Sequence, residues 1–316
     1  MRVVCIARKD AKEGRVEQGF LNGGSMVLQA LIRMVPEMHV AYVGSTHTGA
    51  GTIPEIGDLE VLSQVRDIAI DYDRVVTSEI AFLPMLSLLE KSTRLIANGI
   101  WLWEDGTAHV WERFMPFLDE VIAVSPEVAS AFRARGVPAH LAYPTVEECF
   151  FRHRSAFQAS CAPYVVWVGR EGPQKNPEAL YRIAAMLPGV SFHMLSSTEV
   201  PPGAPENVVV HVGQIREFAV DTIRGAAAML CTSRFETFNI SVAEALVSGA
   251  RVVLPHNAFG MGHFHAAART YVTDFQAADA VGAALHYGRD ADSIICRKFR
   301  EGIQMDHWRR AILESP

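Results

Sequence analysis

Nothing in this chain of 316 residues resembles a disulfide framework, a membrane span or a nucleic-acid-binding surface. Its five cysteines, Cys5, Cys149, Cys161, Cys231 and Cys296, are scattered and form no Cys-x-x-Cys pair. That usage points to buried thiols in a reducing compartment. The longest apolar run, Ile80 to Leu89, is too short to span a bilayer and contains Pro84. The apolar run inside "MRVVCIARKD" is too short for a signal peptide. A soluble, cytoplasmic protein without integral membrane contact is therefore expected. Neither G-x-G-x-x-G nor a P-loop occurs, so a dehydrogenase or an ATPase has little support.

An excess of positive charge is also missing. The formal net charge is −6, and it is unevenly divided. Residues 1–150 carry 13 Lys and Arg against 20 Asp and Glu, while the remainder carry 16 against 15. An acidic first half argues against nucleic acid or an anionic membrane as partner, since both attract a basic face.

What is present is a chain 49% hydrophobic and 20% charged, as a globular protein should be. Its length suits two domains. Short apolar strands alternate with helical patterns throughout. The first half offers "RVVCIA", "HVAYVGS", "RVVTS", "TRLIAN" and "EVIAVS"; the second offers "YVVWVG", "VSFHMLSS", "NVVVHVG", "AMLCTS" and "ARVVLP". Strands alternating with helices predict parallel sheets. Two such runs predict an α/β protein of two Rossmann-like, doubly wound domains, 1–155 and 156–299, facing a central cleft. The aperiodic stretch at 145–162 reads as the linker. In "DHWRRAILES", Trp308, Ala311 and Ile312 fall on one helical face.

Ligands of open parallel sheets bind beyond the carboxyl ends of the strands, so the polar residues after strands are the candidates. Arg170 and Lys175 follow "YVVWVG" and precede a helix with Asn176 at its N-cap and Pro177 at its first position. They form either two solvated cations or an anion site suited to a diphosphate. Gly23 and Gly24 follow the first strand, as a flexible loop or as backbone that approaches a phosphate closely. In "SRFETFNISVAEALVSGARVVL", Glu236 lies in a loop and Glu244 in the helix after it. Ser241 reads as the cap of that helix and Gly249 as its left-handed terminator. Both acids fit solvated positions as well as a site. Trp101 and Trp103 fit core anchors or an acceptor platform, and Glu104 and Asp105 fit loop charges or acceptor contacts. Asp71–Asp73 is a weak match to a metal-binding DxD because it stands before a strand. His263 and His265 lack a third ligand and read as loop histidines.

Taken together, "VGR" with Lys175 and the E-x7-E spacing of Glu236 and Glu244 resemble a retaining glycosyltransferase of family GT4, with the GT-B fold. "DEVIAVSPEVASAFRARGVP" resembles the last helix-flanked strand of that family's first domain, whereas "AYPTVEECF" departs from its usual linker. The resemblance implies an acceptor domain at 1–155, a donor domain at 156–299 and a C-terminal helix, 300–316, packing back on the first. It assigns Arg170, Lys175 and Glu236 to catalysis. It assigns Gly23, Gly24, Gly213, Gln214, Phe238, Asn239, Ile240 and Glu244 to the donor, with Glu244 on the ribose and the amides of 238–240 near sugar and phosphate. Asn98 stands where many relatives have a histidine near the sugar, and Thr237 and Asn239 where they often have glycines. The implied reaction moves a sugar from a nucleotide diphosphate sugar, UDP-sugar favoured, to a hydroxyl of a small-molecule or saccharide acceptor, without metal or other cofactor. A non-catalytic nucleotide-sugar-binding protein, an epimerase and a phosphorylase are the alternatives on the same scaffold.

Overall fold

The computed structural model describes residues 1–8, 31–43, 59–78, 82–97, 115–151, 162–169, 172–196, 202–287 and 297–314. Contacts divide them into two units. One runs to Pro144 and takes in the segment from Glu301 onward; the other runs from Thr145 to Arg300.

The first unit contains β1 (Val3–Arg8), β2 (His39–Val43), α1 (Leu59–Ala69), β3 (Arg74–Thr77), α2 (Leu83–Leu88), β4 (Ser92–Ala97), β5 (Glu120–Ala123), α3 (Pro126–Arg133) and β6 (Ala139–Leu141). All pairings are parallel, in the order β2-β1-β3-β4-β5-β6. The central strands are apolar runs because helices cover a parallel sheet on both faces. Val4, Ile6, Val43 and Val75 pack with Val61 and Val65 of α1 and Leu86 of α2 in one core.

The second unit contains β7 (Tyr164–Gly169), α4 (Pro177–Ala185), β8 (Ser191–Ser196), β9 (Val208–Val212), α5 (Arg216–Gly225), β10 (Ala228–Leu230), α6 (Ile240–Val247), β11 (Arg251–Pro255), β12 (Arg269–Tyr271) and α7 (Asp274–Tyr287). Its order is β12-β11-β10-β7-β8-β9, again all parallel. Counted from its own first strand, this is the order of a dinucleotide-binding sheet. The topological switch point lies between β7 and β10. Leu180 and Ile183 of α4 and Ala277 and Val281 of α7 bury against Val165, Trp167, Met194 and Val253. Each fully buried aliphatic side chain of this kind contributes about 1.5–3 kcal/mol.

Helix α8 (Glu301–Leu313) belongs to the first unit. Its apolar face is the expected one: Trp308, Ala311 and Ile312 are all buried. Two buried arginines hold its end. Arg74 donates to the Ile312 carbonyl at 2.8 Å, and Arg94 donates to the carbonyls of Ala311 and, at 3.0 Å, Glu314. The last carbonyls of a helix have no intrahelical partner, and cations there also offset the helix dipole. Arg94 in turn faces Glu120 at 2.7 Å.

Three expectations change. The first unit ends at Pro144, not at 155. The next residues pack on the second unit: Val146 donates to the Phe299 carbonyl, and Ser248 donates to that of Phe150. Strands β6 and β12 are additions to the predicted set. Gly249 terminates α6 with φ +82° as expected, but the N-cap is Asn239, whose Oδ1 accepts from the Val242 amide, and Ser241 lies inside the helix.

Candidate functional site

The site grows from the carboxyl ends of β7 and β10, on either side of the switch point. Gly169 ends β7, and a Cβ there would come within 2.4 Å of the Trp167 ring. That ring is buried, and its indole N–H donates to Thr232 Oγ1 at 2.8 Å. Thr232, just after β10, donates in turn to the Lys175 carbonyl at 2.7 Å. Gln174 adds two further ties, accepting from the Arg234 amide at 2.8 Å and donating to the Phe235 carbonyl at 3.2 Å. The loop after β7 is therefore locked to the loop after β10 at three points, and Trp167 of β7 itself adds a fourth tie.

A third loop fixes Glu236. Its amide donates to the Phe259 carbonyl at 2.9 Å, beside a bridge between Phe235 and Phe259. Gly260 has φ +74°, and a Cβ on it would lie 1.8 Å from the Glu236 carbonyl oxygen. Only glycine permits this approach.

So held, Glu236 is 5% exposed and meets Lys175: Nζ to Oε1 is 2.5 Å. Asn239 Nδ2 donates to the same oxygen at 3.3 Å. Asn239 sits in the left-handed region at φ +67°, which asparagine tolerates better than most residues. Its amide is thus used twice, Oδ1 capping α6 and Nδ2 binding Glu236. Phe238 turns its ring away into an aromatic cluster with His263, Phe264 and Phe299. Asn176 is the N-cap position of α4, but at φ +53° its side chain makes no capping bond. Ile240 opens α6 and is half-buried.

Glu244 is 1% exposed and pairs with Arg216, the first residue of α5, at 2.5 Å. Arg216 also pairs with Glu147 at 3.0 Å, and its guanidinium lies 5.1 Å from the centre of the Phe150 ring. Burial pushes the Glu244 carboxyl above the usual carboxylate range, and Arg216 works against that rise. Burial alone would lower Arg216, but the two carboxylates outweigh it and hold the guanidinium firmly charged.

Gly213 has φ +61°, and its amide donates to the Ser196 carbonyl. Gln214 follows it and donates to the Val212 carbonyl at 3.4 Å. Asp73 accepts from the Arg2 amide at 2.6 Å, a structural role at the amino end of β3. His263 stacks on Phe238. Among the described residues no cluster of three or more metal-ligating side chains occurs. Gly23, Gly24, Asn98, Trp101, Trp103, Glu104, Asp105 and Arg170 lie outside the described residues. Sequence reasoning overlooked Arg216, Glu147, Thr232, Gln174 and Gly260. All but Glu147 follow strands within a few residues, so the rule that led to Lys175 also leads to them.

No protein-family model matches the sequence, and no curated protein matches it. The fold has many solved counterparts. HepE of Anabaena, solved with UDP and glucose, superposes with a TM-score of 0.74 at 14% identity, over 97% of each chain. The lipopolysaccharide outer core galactosyltransferase WaaB gives 0.67 at 14% identity over 99% of each. Sucrose-phosphate synthase of Thermosynechococcus elongatus gives 0.70 at 12% identity, over 99% of this chain and 95% of that one. These neighbours are GT-B glycosyltransferases, and the two parallel sheets flanked by helices are that fold. Among the described residues no helix is long and apolar enough to cross a membrane.

Proposed function

We propose that this protein is a retaining, GT4-like glycosyltransferase that takes a nucleotide diphosphate sugar, UDP-sugar favoured, and glycosylates a hydroxyl of a small-molecule or saccharide acceptor. The observation that carries the reading is the Lys175–Glu236 ion pair at the switch point of a nucleotide-binding sheet, 2.5 Å across. Neighbours solved with UDP or UDP-glucose support the donor class.

Each group has a task. Lys175 has three N–H donors and gives one to Glu236, so others can reach an oxygen of the donor diphosphate. When the glycosidic bond breaks, charge grows on that diphosphate. Lys175 and Arg170 stabilise it, and because Lys175 is already oriented, little reorganisation is needed at the moment of reaction. The amides at the start of α6, from Phe238 to Ile240, add the partial positive charge of a helix N-terminus. Gly23 and Gly24 are assigned to the donor phosphates by the glycosyltransferase resemblance alone. Glu236 directs Oε1 to Lys175 and Asn239 and offers Oε2 to sugar hydroxyls. A carboxylate engaged in this way acts as a hydroxyl acceptor, not as a covalent nucleophile. Attack then comes from the acceptor on the face the diphosphate leaves, with the departing phosphate taking the acceptor proton. Glu244 binds the ribose, and Gly213 and Gln214 border the base. No metal has a task in this scheme.

The two acids separate in a titration with UDP. Glu236→Gln keeps UDP affinity and impairs sugar transfer. Glu244→Gln weakens UDP about tenfold to a hundredfold, the size of a charge-assisted hydrogen bond. UDP binding and transfer unchanged in both variants would remove the acids from the site.

A further inference from the structure

The arrangement around Glu244 is unusual for a residue whose task is to meet a ligand. Its carboxylate is buried, and a buried carboxylate without a partner takes up a proton instead of staying charged. A protonated Glu244 would give a diol one acceptor and one donor in place of a full set of acceptor sites. The partner that opposes this is Arg216, on a different helix 28 residues away in sequence, at 2.5 Å from Oε1. The same Arg216 nitrogen is held from the other side by Glu147 at 3.0 Å, and Phe150 lies under the guanidinium. The arginine therefore has a fixed position set by groups other than Glu244. Both of its hydrogen bonds leave through one nitrogen, and the bond to Glu244 occupies one oxygen. The second oxygen, Oε2, has no hydrogen bond to any described residue.

Resting on the assignment of Glu244 to the ribose, we infer that Arg216 is a positioning residue: it holds Glu244 as a two-hydroxyl acceptor, so the pair selects ribonucleoside over 2′-deoxyribonucleoside diphosphates. Arg216 touches Glu244 and not the sugar. A site built to bond a hydroxyl rejects the analogue lacking it, because its buried polar group is left unpaired. That discrimination requires an ionised acceptor, which the arginine favours. The other titratable groups around the pair are Glu147 and Cys149 on the segment before β7 and Arg224 farther along α5.

The test is calorimetry of the full chain with UDP and with 2′-deoxy-UDP, across pH 5.5 to 8. Wild type should prefer UDP by about tenfold or more, with little dependence on pH. Arg216→Gln should narrow the preference to about twofold, and its UDP affinity should fall as pH is lowered and Glu244 gains a proton. Arg216→Lys should restore most of the preference and the flat profile. If Arg216→Gln is poorly folded, Arg216→Lys decides: a preference near wild type with a flat profile supports the pair, and a lysine variant as indiscriminate as Glu244→Gln overturns it, because a retained cation should still favour the ionised carboxylate. Wild-type preference and a flat profile in Arg216→Gln, with the preference lost in Glu244→Gln, would overturn the inference and leave the ribose assignment standing. Wild-type behaviour in Glu244→Gln itself would overturn that assignment.

Discussion

Lys175 and Glu236 stand 61 residues apart in sequence and 2.5 Å apart in space. The contact forms because two strands that are neighbours in the sheet, β7 and β10, send their following loops to one place. Thr232 and Gln174 then tie the loops together.

Removing the cation should cost both rate and stability. Lys175→Ala should lower transfer about a hundredfold or more, if Lys175 stabilises developing charge on the diphosphate. It also leaves the Glu236 carboxylate with Asn239 as its remaining side-chain partner. Unfolding in denaturant should show a loss of about 1–3 kcal/mol. A variant with wild-type turnover removes Lys175 from the mechanism, whatever its stability.

Asn239 can be tested by reversing one end of its amide. Asn239→Asp keeps a capping oxygen for Val242 and a residue that tolerates positive φ. It replaces the Nδ2 donor with an acceptor against Glu236. The expected result is a near-normal fold with transfer reduced about tenfold at pH 8, recovering as pH falls and the carboxylate pair takes up a shared proton. A rate equal to wild type across that range would mean that Asn239 does no more than cap α6.

Two glycines with similar backbone angles make a controlled pair. Gly213→Ala meets nothing within 4 Å and bears only the strain of φ +61°, about 1–2 kcal/mol. Gly260→Ala bears similar strain at φ +74°, and its methyl would overlap the Glu236 carbonyl oxygen. It should therefore lose distinctly more stability and also lower transfer, because the Glu236 loop must shift. Equal costs for the two substitutions, with transfer unchanged, would show that Gly260 does not position Glu236.

His193 and His211 predict an acid sensitivity away from the site. Their rings stack at 5.2 Å with Nε2 and Nδ1 3.1 Å apart, between Tyr164 and Phe218. Burial lowers both, and His211 lowers His193 further. A histidine depressed in the folded state binds fewer protons there than in the unfolded chain. Its contribution is complete above the ordinary histidine value and is lost as pH falls below it. Thermal unfolding should show Tm declining from pH 7 toward pH 5, with a shallower decline in His211→Gln. Parallel declines in the two proteins would assign the sensitivity to other groups.

Some of this was legible in the residues and some was not. "YVVWVG" reads to the residue as β7 because a strand covered on both faces must be apolar throughout. β6 and β12 escape that reading because they are three-residue edge strands, and an edge position tolerates His140, Arg269 and Thr270. Glu236 and Glu244 stand out by spacing, and Lys175, the partner of Glu236, by its place after a strand, yet the partner of Glu244 does not. Arg216 reads as an ordinary charge at a helix start, since its carboxylates lie 28 and 69 residues away. Ser241 and Asn239 are both good capping residues, and the left-handed backbone at 239 decides between them. Glu147 falls in an aperiodic stretch that resembles a linker, and packing alone assigns it to the second unit.

The most direct test of the central claim is nucleotide release from a panel of UDP-, GDP- and TDP-sugars, each with and without saccharide and small-molecule hydroxyl acceptors. Wild type should release nucleotide from a UDP-sugar only when an acceptor is present, and NMR of the product should show the anomeric configuration of the donor. Lys175→Ala and Glu236→Gln should both abolish most of that release. No release from any donor with any acceptor, or equal release by wild type and both variants, would contradict the account.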